Sequence, residues 1–209
     1  MLFAAGPPSV GPGKVVGVKL SETIRSHHDL YKGNAPNFNS AVKYYQELAK
    51  VCVENSHVVD IFACSLDQVG LAEMKVLVER TGGLLVLSDM YSSPVFIDSF
   101  QKIFQRNEQD GALTMGFAAE IEVQTSKEFK VSGGIGPFSS LNRKSPSVGD
   151  KEVGIGGTCA WSVGGIDPCT SVAFYFDVVN QVWFGLLGWI DSVSKRARFL
   201  RIRTALCRS

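Results

Sequence analysis

The sequence predicts an α/β unit over residues 1–108, a parallel sheet covered by helices on both faces. An incomplete antiparallel β-sandwich follows over 109–181, and then a tail over 182–209 that is first apolar and then basic. Three observations carry this reading. Ser56–Asp89 reads strand, helix, strand: an apolar run His57–Cys64 rich in β-branched residues, a stretch Leu66–Arg80 with Leu71, Met74, Leu77 and Val78 at helical spacing, and a second apolar run Leu84–Leu87. Two strands joined by a helix of that length make a parallel crossover. Beyond residue 108 the period changes to alternation, with Leu113, Met115, Phe117, Ala119, Ile121 and Val123 on one face. Further short alternating runs, Cys159–Val163 and Val172–Val178, are separated by Gly/Ser/Pro turns, as in a sandwich.

In chain order, Met1–Ala5 is an apolar strand with no run-up, which suggests that the sheet has strands this chain does not supply. The loop Gly6–Gly13 follows. It is glycine-rich after a strand, yet it contains three prolines without an N–H to donate and lacks the Lys-Ser/Thr ending of a phosphate loop. Lys14–Pro36 is a mixed-charge excursion. Asn37–Asn55 is a helix with Asn37 as N-cap and Phe38, Ala41, Val42, Tyr45, Leu48, Ala49 and Cys52 on one wide stripe. Thr81-Gly82-Gly83 closes the crossover helix. Ser93-Pro94 opens another helix, lined by Phe96, Ile97, Phe100, Ile103 and Phe104. Ser126–Glu128 is a turn from which Phe129–Ser132 returns.

Composition narrows the function classes. The chain has 209 residues, 45% of them hydrophobic, and a formal net charge of +1. The residues from Val182 onward carry a local +5, so the body is mildly acidic at −4 and no nucleic-acid partner is indicated. The longest uncharged apolar run, Val182–Ile190, is about half the roughly 20 residues a spanning helix needs. Its tryptophans followed by six basic residues would suit a membrane surface. Out-of-register sequence is the plainer reading of so abrupt a change of character.

Candidate chemistry is sparse. Cys52, Cys64, Cys159, Cys169 and Cys207 have no short pair spacing and read as reduced thiols of a cytosolic protein. His27, His28 and His57 have no ligand spacing. Ser26-His-His-Asp29 could be an acid/base cluster but lacks an orienting partner, so it reads as a polar loop. Asp60, between Val59 and Ile61, is a carboxylate in an apolar strand and therefore needs a partner. Gly133–Pro137 and Gly154–Gly157 resemble nucleotide loops in composition only, since no helix follows either. No nucleophile, base and orienting group can be assembled, so catalytic, cofactor and metal residues are all expected to be none.

Asp60–Gln68, Gly70–Lys75, Thr81–Gly83, Met115–Phe117, Ile135–Pro137 and Gly156–Trp161 resemble, in order, the Sec-twenty-three family, the GTPase-activating subunit of the COPII inner coat. The likeness runs from Met1 to about Gln181. It implies a von Willebrand A-like trunk passing into a β-sandwich, and a coat scaffold in transport from endoplasmic reticulum to Golgi. The implied partners are a sister cargo-binding coat subunit, a Sar-type small GTPase and outer coat subunits, with peripheral contact at the cytosolic face of the endoplasmic reticulum membrane. The family's zinc-binding cysteine cluster has no counterpart here, so no cofactor is expected. The family's arginine finger lies in a domain this chain does not contain. Such a residue supplies roughly 10³ to 10⁵ in rate, so little GTPase activation is expected from this chain alone. The Asp-x-Ser-x-Ser pattern of metal-holding von Willebrand A domains is also missing. The alternatives are a metal-independent protein-binding module of that type, or a truncated product without function.

Overall fold

A computed structural model describes residues 1–19, 23–106, 108 and 111–179, and the backbone of 200–207. The first sheet is parallel, with strands β1 (Leu2–Ala4), β2 (Ile61–Cys64) and β3 (Leu85–Ser88) in that order. Leu2 pairs with Ile61, and Ile61 with Leu85. Helix α1 (His27–Lys32) and helix α2 (Phe38–Glu54) lie between β1 and β2, α3 (Leu71–Thr81) bridges β2 and β3, and α4 (Pro94–Ile103) follows β3.

Both faces of β2 are covered, as its unbroken apolar run requires. Ile61 and Ala63 enter one core with Ala41, Tyr45 and Ala49 of α2 and Met74, Leu77 and Val78 of α3. Phe62 and Cys64 point the other way, into a core with Phe96 of α4. Phe3, Phe62, Phe96, Phe100 and Phe104 form a chain of ring contacts at 5.0–6.1 Å. The Tyr91 hydroxyl lies 3.0 Å from the carbonyl oxygens of both Ala4 and Phe62, tying β1 to β2 through one shared proton. β3 is less covered than its sequence suggests. Leu87 is 65% exposed, because the α2–α3 core draws on β2 and not on β3.

The second part is antiparallel. Strands β4 (Gly116–Thr125), β5 (Phe129–Ile135), β6 (Ser139–Ser140), β7 (Ala160–Ile166), β8 (Ala173–Val178) and β9 (Leu200–Cys207) form two sheets, ordered β6-β7-β4-β9 and β5-β8. Between them lies a core of Ile121, Val123, Val131, Phe138, Trp161 and Val163, backed by Phe174 and Phe176. Trp161 is fully buried, and its Nε1 donates to the Ile155 carbonyl at 3.0 Å.

Several expectations need correction. The strand expected from His57 begins only at Ile61, because side chains hold the approach: Thr81 Oγ1 accepts from Val59 N, and Asp60 Oδ1 from Leu84 N. The helix expected from Leu66 begins at Leu71. Gly70, at φ +81, turns the chain there against Val15. Ser26–Asp29 is not a loop but the start of α1, with a reciprocal capping box. β5 does not return along β4. After the turn it crosses into the opposing sheet and pairs with β8. Ala118, at φ 51, marks a bulge where the β4–β9 register slips between Phe117 and Glu120. In the tail, the backbone of 200–207 extends the β4 sheet, with Arg203 opposite Glu122. The apolar run Val182–Ile190 lies outside the described residues.

Candidate functional site

The glycine-rich runs owe their composition to backbone approach. Ile155 N donates to the Gly134 carbonyl at 2.8 Å, and Gly134 N to the Ile155 carbonyl at 3.2 Å. A side chain at Gly133, Gly154 or Gly156 would strike main-chain atoms of the facing run. These runs therefore zip the loop before β7 onto β5, with Trp161 pinned to the same loop.

A second glycine pair joins the two halves of the molecule. Gly82, at φ +69, follows α3 and lies against the backbone of Gly165 in β7. Gly164 lies against the Thr81 carbonyl, and Ser139 Oγ donates to the Arg80 carbonyl at 3.1 Å. The sequence reading marked Thr81–Gly83 but not Gly164-Gly165. A glycine pair inside an alternating strand was the available signal.

The carboxyl ends of β2 and β3, where open α/β sheets receive ligands, border an open groove lined by His27, Ser65, Asp67, Gln68, Ser88 and Asp89 among others. Its wall is fixed by Arg25. The guanidinium binds Glu73 at 2.9 and 2.5 Å, donates to Gln68 Oε1 at 2.6 Å, and lies 5.8 Å from the Phe38 ring. Both side chains of the pair are buried, 7% and 1% exposed. Arg25 thus docks the Lys14–Pro36 excursion onto α3, and its charge is spent within the fold.

The structure scatters the other candidates. Asp60 uses one oxygen on the Leu84 amide, a structural role that answers the need for a partner. Asp29 is held below the ordinary carboxylate value, first by the Ser26 hydroxyl and then by the Ser26 amide, so it is the anion of a helix cap. His57 follows α2 in the chain, whereas His27 and His28 open α1. Cys64 is buried and its thiol is pushed up by that burial, Cys159 is buried, Cys52 is half-buried, and Cys169 is exposed. Among the described residues, no three His, Cys, Asp or Glu side chains come together to hold a metal ion.

What the fold defines is a two-part scaffold, a helix-covered parallel sheet butted backbone to backbone against an antiparallel sandwich. Residues 1–107 match the Sec23/Sec24 trunk domain, and residues 116–198 match the Sec23/Sec24 β-sandwich domain. The second match extends past Gln181 into the tail. Among solved structures, the human COPII-coat protein Sec24c is similar at 20% identity and a TM-score of 0.56, over 86% of this chain and 21% of that one. The chain thus spans about a fifth of that protein's length. It belongs to the Sec23/Sec24 family.

Proposed function

We propose that this chain is a scaffold segment of a COPII-type vesicle coat that acts in transport from endoplasmic reticulum to Golgi. It presents trunk surfaces to other coat subunits on the cytosolic side of the endoplasmic reticulum membrane. The observation that carries the reading is the adjacent pair of family domains, in family order, over 1–107 and 116–198. The glycine joint at Gly82 and Gly165 sets the two domains backbone to backbone, so that they present adjoining surfaces. No helix among the described residues is long and apolar enough to cross a membrane, and membrane contact in this reading is peripheral. The ordered set of short stretches between Asp60 and Trp161 resembles the GTPase-activating subunit, and this reading takes the chain to be of that kind.

The test is retention of the purified sister subunit on the immobilised chain. Retention supports the reading, and its loss with the folded chain overturns it. Phosphate release by a GTP-loaded Sar-type GTPase separates scaffold from activator. The arginine finger is the source of the large rate effect. The chain alone is expected to leave the rate near its intrinsic value, and strong stimulation would refute that assignment.

A further inference from the structure

Three short stretches singled out in the sequence, Thr81–Gly83, Met115–Phe117 and Ile135–Pro137, lie far apart along the chain and meet at one depression between α4, β4 and β7. Its volume is about 140 Å³. Ile103, Phe104, Leu113, Met115, Phe117 and Ile166 turn toward it, and all six are only half-buried. Gly82, Gly83 and Gly165 line it with backbone alone. An apolar cavity of roughly 150 Å³ takes up a guest the size of benzene, so this one has room for one aliphatic side chain.

The polar part of the lining is one-sided. Asp60 and Asp167 are both present, with Thr170. Asp60 Oδ1 accepts from Leu84 N, and Asp167 Oδ1 accepts from the Thr170 hydroxyl at 2.5 Å. Neither carboxylate is in an ion pair among the described residues, and the described lining holds no Lys, Arg or His. Arg106, whose backbone bridges to Leu113, directs Nη1 to the Gly111 carbonyl.

The geometry points to a peptide-binding site that takes an aliphatic side chain flanked by lysine or arginine. The apolar walls supply burial, and the two carboxylates supply the charge preference. This does not rest on the coat reading, because the depression and its carboxylates are features of the chain itself.

The probe is the peptide Lys-Ala-Leu-Ala-Lys, titrated into the isotope-labelled full chain. Controls are Glu-Ala-Leu-Ala-Glu and Lys-Ala-Ala-Ala-Lys. The first peptide should move the amide signals of Leu113–Phe117 and Gly165–Asp167, and each control should bind about tenfold more weakly. Asp60→Asn and Asp167→Asn keep their hydrogen-bond acceptors and should each weaken binding and its salt dependence. Leu113→Trp fills the space and should abolish binding. Should that variant not fold, the two Asn variants decide. Equal binding of the Glu peptide, shifts elsewhere, or no shift at millimolar peptide would overturn the proposal. Concentration-dependent self-association through the same residues would replace the peptide with a second copy of the chain and equally overturn it.

Discussion

Gly82 and Gly165 meet backbone to backbone, and a Cβ built on Gly165 would lie 2.6 Å from the Gly82 carbonyl oxygen. The α/β part and the sandwich can approach this closely only because neither position carries a side chain. Gly165→Ala should therefore cost about 1–3 kcal/mol by overpacking. Gly82→Ala should cost about 1–2 kcal/mol more, because φ +69 is a left-handed backbone. Urea unfolding followed by circular dichroism measures both, and unchanged midpoints would show that the joint is loose.

Removing one member of the Arg25–Glu73 pair leaves a buried charge without its partner. Glu73→Leu or Arg25→Met should lower stability by about 3–5 kcal/mol. The double variant Arg25→Met/Glu73→Leu should recover much of that, because the desolvation cost of the pair is removed with it. A double-mutant cycle on thermal midpoints reads the coupling, and additive effects would mean the two side chains do not interact.

Trp161 fills the centre of the sandwich and anchors the glycine loop through Ile155. Trp161→Ala should cost about 3–5 kcal/mol, and Trp161→Phe should cost less while still losing the indole hydrogen bond. Hydrogen exchange at Gly134 and Ile155 checks the second effect. Protection unchanged in Trp161→Phe would mean that the loop is held without the indole.

Burial raises the Tyr91 phenol above its ordinary value of 10.0, with Cys64 nearby adding to it. A raised value means the folded state holds the proton more tightly than the unfolded one. The associated stability is complete below the unfolded value, about 10, and is lost as pH rises through the higher folded value. Tyr45 is raised too, again mainly by burial, so the wild type is compared with Tyr91→Phe. The variant should lose less stability than the wild type on going to alkaline pH. Parallel stability curves for the two proteins would remove Tyr91 from the alkaline transition.

The layer structure of the first half was legible because periodicity reports faces. Leu71, Met74, Leu77 and Val78 gave α3, the Phe96–Phe104 stripe gave α4, and the apolar run at Ile61–Cys64 gave a strand covered on both sides. Element starts were less legible where side chains stand in for ladder bonds, as Thr81 and Asp60 do before β2. Pairing in the sandwich was harder still. Alternation shows that β4 and β5 are strands, but a turn at 126–128 suits a hairpin as well as a crossing between sheets. Arg25 and Glu73 lie 48 residues apart, and nothing local marks either as the other's partner. The depression at Asp60 and Asp167 was invisible for the same reason.

The register of the first sheet also orders its assembly. Ile61 and Leu85 are brought together by one short crossover, whereas Leu2 reaches Ile61 only after the whole of α1 and α2 has been placed. Closing the longer loop costs more entropy before any contact rewards it. The β2–α3–β3 hand should therefore form early, and β1 should dock last and detach first, its amides exchanging with solvent well ahead of those in β2.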